Sequence, residues 1–483
     1  MAEIAPHVPG VPGLEGLKPG LNLFDSVTIV AGSMIGSGIF IVSADIARHV
    51  GSPAALLAVW IVSGLMTIAG ALSYAELAAM MPEVGGQYVY LREAYGGLFA
   101  FMFGWTLLLV VQSGTIAAVA VAFARFAGVI WPALGSNLWF GIGTIGLSGE
   151  RLGAIAVIVL LTWTNLRGLE MGKLVQNVFT SAKVLSLLFI IVVGCLFARN
   201  PEALRANFSS FEVFLGSRQM SLSYAGAFGA AMVGGLFSLD AWANVTFAAS
   251  EVKNPRRNLP LALTLGASLV IVLYLLTNVA YLCALPVRGT PDAPELFSRG
   301  IAYATSDRVA AAAMQTVWGG TGVVITVVLV MISTFGCANG IILTGARVIY
   351  AMARDGVFFS AARRVNAAHA PSFALIIQGA WASALTISGT YSQLLDYVIF
   401  AQLLFYVFTV AAVFLFRIKL PGTPRPYRVI GYPLLPAVYI VAAAAMMVDL
   451  LIVKPYYTVP GLLIALSGAP VYALFVRSAA RAD

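Results

Sequence analysis

Apolar residues in this chain come in long runs parted by short polar turns, and most runs match the roughly 20 residues a helix needs to cross a hydrocarbon core. Read this way, the chain predicts twelve spans. The first lies between Asp25 and Asp45, which enclose 19 uncharged residues. Next come 54–80, 97–129 with Arg125 near one end, 149–166, and 173–196 with Lys183 deep inside. A polar segment at 197–224 precedes a sixth span at 225–249, which contains Asp240, and a seventh at 260–285. A connection at 286–319, with a short amphipathic helix over 302–314, leads to spans at 320–346, 371–388, 393–416, 433–453 and 459–476.

Composition narrows the class. Only 10% of the 483 residues are charged and 60% are hydrophobic, whereas soluble domains carry about 25% charged residues. This is the make-up of a polytopic membrane protein. The net charge of +8 is no nucleic-acid footprint, because the basic residues sit in the turns between spans. With Lys183 set aside, seventeen Lys and Arg fall on one side of the predicted topology and ten on the other. Positive-inside bias then predicts both termini in the cytoplasm and an inner-membrane location. Residues 1–24 read as a polar cytoplasmic tail rather than a signal peptide. Cys195, Cys283 and Cys337 lie in or at the ends of apolar segments and read as small packing residues. No disulfide-linked subunit is expected, and the chain is expected as a monomer or weak homo-oligomer. No nucleotide-binding loop, catalytic triad or metal-ligand spacing is present, so neither an enzyme nor a cofactor is predicted.

Two spans break the apolar pattern. The first holds Gly32-Ser33-Met34-Ile35-Gly36-Ser37-Gly38-Ile39-Phe40, where glycine and serine weaken a helix through backbone entropy and competing local hydrogen bonds. The sixth holds Gly234-Gly235-Leu236-Phe237-Ser238-Leu239-Asp240-Ala241-Trp242. An interruption at membrane depth is tolerable only where protein, water or ligand satisfies the freed backbone groups. Two such breaks five spans apart point to an inverted repeat of five plus five spans, over 25–196 and 225–416, with a site at the midplane. Residues 417–483 stand outside it. Amides opening the outer half of the first span suit a carboxylate, and carbonyls ending a half of the sixth suit an ammonium. The pair describes a receptor for a zwitterion.

These blocks, with Glu83-Val84-Gly85-Gly86-Gln87-Tyr88, the run from Glu251 to Pro260, Ser333 to Gly340 and Ala351 to Gly356, resemble the amino acid–polyamine–organocation superfamily. Within it, the chain is similar to bacterial relatives of the L-type amino acid transporters. The resemblance covers about Leu21 to Tyr432. It implies an all-α, leucine-transporter-like fold and an amino acid or related amine as cargo. It sets Ile35, Ser37, Gly38 and Ile39 by the substrate carboxylate, Phe237, Ser238 and Leu239 by the amine, Phe237 as outer gate, and Gln402 facing the site. Glu76, Glu83 and the 253–257 basic cluster fall where relatives place inner-gate contacts. Asp240-Ala241 replaces a glycine pair common in L-type members, which weakens transfer of substrate identity.

Lys183 lies about 15 Å into its span at 1.5 Å per residue, and an ammonium at that depth must face protein. It reads as a substitute for a bound sodium ion, pinning carbonyls near Gly32 and Ser33 together with the Ser333 hydroxyl, a placement the resemblance supports. Asp240 is expected to cap freed amides of its own break or to titrate during transport. Trp242 lines the pocket or packs against a neighbouring helix. The turn from Pro421 to Pro436, with Arg425 and Arg428, reads as a rigid cytoplasmic corner against anionic headgroups. The sequence therefore predicts sodium-independent exchange of small or medium neutral L-amino acids by alternating access. The alternatives are proton-coupled uptake of amino acids or polyamines, and a sensor or channel that does not translocate.

Overall fold

The computed structural model describes residues 16–142, 145–209, 222–388, 391–453 and 455–479. Among these, nine helices are long and apolar enough to cross a membrane, and the bent pair Leu23–Met34 and Gly38–Val50 makes a tenth. Two shorter apolar helices, Tyr224–Ser238 and Ser372–Ser388, complete the twelve apolar segments. The protein is a multi-pass helical membrane protein.

Span 1 starts from a capping box. The Asn22 side chain accepts from the Asp25 amide and the Asp25 carboxylate accepts from the Asn22 amide, which satisfies donors a helix start would leave unpaired. Span 2 (Pro53–Met80) is opened by Ser52, whose hydroxyl accepts from the Ala55 amide, with Pro53 in the first turn. Spans 3 (Gly97–Ile130) and 4 (Gly149–Leu166) match the expected runs. Span 3 also contains a π-helical turn, Leu107–Val111, which no residue pattern in that run announces. Span 5 (Leu169–Leu196) starts four residues before the expected 173, directly after Gly168 at φ +107°. A positive-φ glycine ends one helix and admits another at once, so polar Glu170 and Lys173 fall inside the first turns.

Span 6 runs over Leu222–Ser238, and span 7 over Pro255–Ala284. Part of the expected polar segment forms a helix, Pro201–Phe208, while 210–221 lie outside the described residues. The expected helix at 302–314 instead begins at Val309, because Ser306 and Asp307 take positive φ. It bends at Trp318 and Gly319 and continues as span 8 to Arg354. Span 8 thus runs two turns past the expected end at 346. A charge at Arg347 signals a boundary in sequence, but here its guanidinium is neutralised inside the fold by Glu251. Spans 9 (Ser372–Ser388), 10 (Tyr391–Lys419), 11 (Leu434–Val453) and 12 (Pro455–Ala479) follow. Span 7 packs along spans 1, 2 and 5, and span 8 along spans 3 and 5, so the broken first span is enclosed.

Candidate functional site

Both expected breaks are present: the first spans Gly36 and comes just before the expected outer half-helix, and the second follows Phe237 and Ser238, where a half-helix was expected to end. Span 1 stays helical through Met34, leaves the helix at Ile35, Gly36 and Ser37, and resumes at Gly38 with a bend of 41°. Gly32 therefore remains helical, and its missing side chain admits Gln176 and Thr180 of span 5. Span 6 stays helical through Ser238 and leaves the helix over 239–243 before a short turn, Asn244–Phe247. Gly234 and Gly235 allow close approach of Val42 and Ser63 rather than making the break. The break itself is marked by Ala241 at φ +67°, a conformation that costs a residue with a Cβ and is held only by its surroundings.

The last carbonyls of the first half-helix have no partner within their own helix, and other spans satisfy them in turn. Lys183 Nζ, fully buried, donates to Gly32 O at 2.8 Å and Ile35 O at 2.9 Å. Ser333 Oγ donates to Gly36 O at 3.0 Å and Ile35 O at 3.2 Å. Cys337 Sγ donates to Ser33 O at 3.0 Å, and Tyr274 donates its hydroxyl proton to Met34 O at 3.1 Å. Lys183 and Ser333 thus converge on the break as expected, sharing Ile35 O. The Ser33 carbonyl goes to Cys337, so this cysteine is more than a packing residue. Sequence reading missed both Cys337 and Tyr274, because nothing within spans 7 and 8 says which carbonyl faces them.

Three small cavities adjoin the breaks, with volumes of about 20, 20 and 10 Å³. Ser37, Gly38, Phe237 and Ser238 line the first, with Thr115 and Cys337. Trp242 and Gln402 line the second, with Tyr406. Gln112, Asn244 and Gln402 line the third. Asp240 lines all three. Its Oδ1 accepts from the Tyr406 hydroxyl at 2.8 Å, so it is tied across to span 10 and faces the space between spans. Trp242 does both things expected of it: it lines a cavity, stacks on Tyr406 and meets the edge of Tyr74. Gln402 is buried, and its Oε1 has no hydrogen-bond partner among the described residues. Ile35, Ile39 and Leu239 are buried in the core and line none of the three. Ile35 contributes its carbonyl, and Ile39 O accepts from Tyr281 at 3.3 Å.

The two breaks touch through Gly38, where an added Cβ would collide with the Ser238 side chain and come within 3.1 Å of its Cα. We expect Gly38→Val to separate the half-helices and to lower flux by at least tenfold, while thermal unfolding in detergent changes little. Labelled-substrate uptake into proteoliposomes is the check.

A match to the amino acid permease family model runs over residues 21–475. This chain belongs to the amino acid permease family. The permease is 31% identical over 463 residues to the mouse b(0,+)-type amino acid transporter 1, covering 95% of this chain and 88% of that one. It is 31% identical to the human Asc-type amino acid transporter 1, over 97% and 84% of the two chains. It is 30% identical to the human large neutral amino acids transporter small subunit 2, over 98% and 84%.

Ion pairs gather at the end of the permease where the N-terminal residues lie. Glu76 of span 2 accepts from Arg417 of span 10 at 2.9 and 2.6 Å and from the Val429 amide at 2.8 Å. Glu251 accepts from Arg347 at 2.7 and 3.0 Å, with both side chains at most 2% exposed. Glu83 lies 3.7 Å from Arg92, which also pairs with Asp355 at 2.7 Å. Outside the spans, burial and then the Asp355 carboxylate push the Tyr88 hydroxyl above its ordinary range. Glu251, absent from the expected site residues, is the most enclosed acid of this group together with Glu76.

Proposed function

We propose that this permease exchanges small or medium neutral L-amino acids across the inner membrane by alternating access, without sodium, with both termini in the cytoplasm. The observation that carries this reading is the Lys183 ammonium held between Gly32 O and Ile35 O at the break of span 1. A fixed monovalent cation on those carbonyls does the electrostatic work that a bound metal ion would otherwise do, and its tether keeps it there through the cycle. The substrate carboxylate meets the amides at Ser37, Gly38 and Ile39, where the second half-helix begins. Its ammonium meets the carbonyls at Phe237, Ser238 and Leu239, and Phe237 closes over it. Within the five-plus-five repeat of 25–196 and 225–416, a helix bundle rocks against the remaining spans about this point. Lipid surrounds the chain, and it works as a monomer or weak homo-oligomer with no disulfide-linked subunit.

The family and the named relatives support amino acids as cargo. Counterflow of labelled alanine or leucine in proteoliposomes tests the reading, with choline replacing sodium. We expect uptake only with unlabelled substrate inside and no change on sodium removal. Accumulation that requires sodium would overturn it. One observation favours a second reading: the Asp240 carboxylate faces all three cavities, which suits a cationic substrate or a carried proton. Accumulation driven by an imposed pH gradient, with no substrate inside, would favour this alternative.

A further inference from the structure

Residues 18–22 form an extended strap against the segment that leaves span 6. Leu21, fully buried, forms an isolated parallel β-bridge with Val252. The Gly20 and Leu21 amides both donate to Glu251 O, at 2.8 and 2.9 Å, and the Lys253 amide donates back to Leu21 O at 2.7 Å. On the other side of the strap, Lys173 Nζ of span 5 donates to Gly20 O at 3.2 Å. Glu251 therefore engages two partners at once. Its main chain holds the strap, and its buried carboxylate holds Arg347 of span 8.

We propose that this strap is a latch on the cytoplasmic gate, and that Glu251 is the positioning residue that couples it to span 8. Two features distinguish a latch from ordinary packing. First, the strap joins the start of broken span 1 to the segment leaving broken span 6, with a single bridge rather than a sheet. Second, a cavity of about 300 Å³ lies beside it, lined by Lys18, Gly20, Arg167, Glu251 and His369. The strap is held by its main-chain clasp on one side and by Lys173 on the other; Leu21 is its one buried side chain and a cavity runs alongside, so its release exposes a single leucine and leaves the spans packed. Moving the span-6 segment away from span 8 must break either the carboxylate–guanidinium pair or the strap's clasp. The clasp is three main-chain hydrogen bonds near water, and the pair is a buried bidentate ion contact, so the clasp is the cheaper of the two to open.

The inference rests on the transport reading, and its test separates the two. Cys337, which lines a cavity between the two breaks, serves as a native reporter after Cys195→Ala and Cys283→Ala. Leu21→Cys and Val252→Cys, at the two bridged positions, supply a reversible lock. Oxidation is expected to stop exchange and to block Cys337 labelling by an impermeant maleimide from the cytoplasmic face, and reductant to restore both. Lys253→Pro deletes one clasp donor while altering only an exposed side chain. We expect it to raise cytoplasmic labelling of Cys337 about fivefold, the effect of one hydrogen bond, and to leave labelling from outside unchanged. Lys253→Ala removes the same side chain but keeps the amide, so the excess labelling of Lys253→Pro over Lys253→Ala reads the clasp alone, and unfolding in detergent checks that each variant is folded. A cross-linked protein that exchanges and labels at the uncross-linked rate overturns the latch. So does unchanged labelling in Lys253→Pro. If the wild-type chain exchanges no amino acid, the transport reading falls, and the labelling arms still decide the latch.

Discussion

Lys183→Met is expected to lower exchange by about 100-fold or more, equivalent to some 2.7 kcal/mol of barrier, while the protein still inserts and folds. The ammonium makes two charge-assisted hydrogen bonds to carbonyls that no helix satisfies, each worth roughly 1.5–3 kcal/mol. Methionine fills the space and leaves Gly32 O and Ile35 O with less support, so the break no longer holds one geometry. Folding survives because both partners of Lys183 Nζ are neutral carbonyls, so its loss strands no charge. Lys183→Arg is not a mild change here. An atom added at Gly336 would already lie 3.1–3.2 Å from the end of the lysine, and a planar guanidinium needs more room than an ammonium. We expect it to be inactive as well. Counterflow in proteoliposomes checks flux, and size-exclusion chromatography checks folding. Wild-type exchange by the methionine variant would remove Lys183 from the transport cycle.

Arg347→Met is expected to act on stability. Glu251 and Arg347 form a bidentate pair with at most 2% of either side chain exposed, and Arg347 also donates to Leu343 O within its own helix. Removing one member of such a pair costs about 3–5 kcal/mol, because the other remains as an uncompensated buried charge. The apparent melting temperature in detergent should fall clearly. Arg347→Met with Glu251→Gln should recover most of that loss, since the stranded charge is gone, and the shortfall from additivity measures the coupling. A double variant no more stable than Arg347→Met alone would show that the pair acts through something other than its charges.

The spans were legible because each apolar run is local: a segment that must satisfy its backbone in lipid shows this in its own composition. The breaks were legible for a similar reason, since Gly36, Ser37 and Gly38 act on their own stretch of helix. The depth of Lys183 followed from counting residues. Elsewhere, local signals misled. Gly234 and Gly235 stood in the stretch that marked the second interruption, yet they stay helical and serve close packing, and the break at 239–243 follows them. Arg347 looked like the end of a span and is buried well within one.

The sequence by itself determined the membrane class, the run of helices, the two interruptions and the depth of the Lys183 ammonium within its span, because each depends on residues adjacent in the chain. Only the tertiary structure decided which partner each freed carbonyl receives, that Asp240 is tied to Tyr406, and that Glu251 holds both Arg347 and the strap. Those outcomes depend on groups 96 to 304 residues apart or more, and a hydrogen bond across such a separation leaves no trace in the composition of either segment.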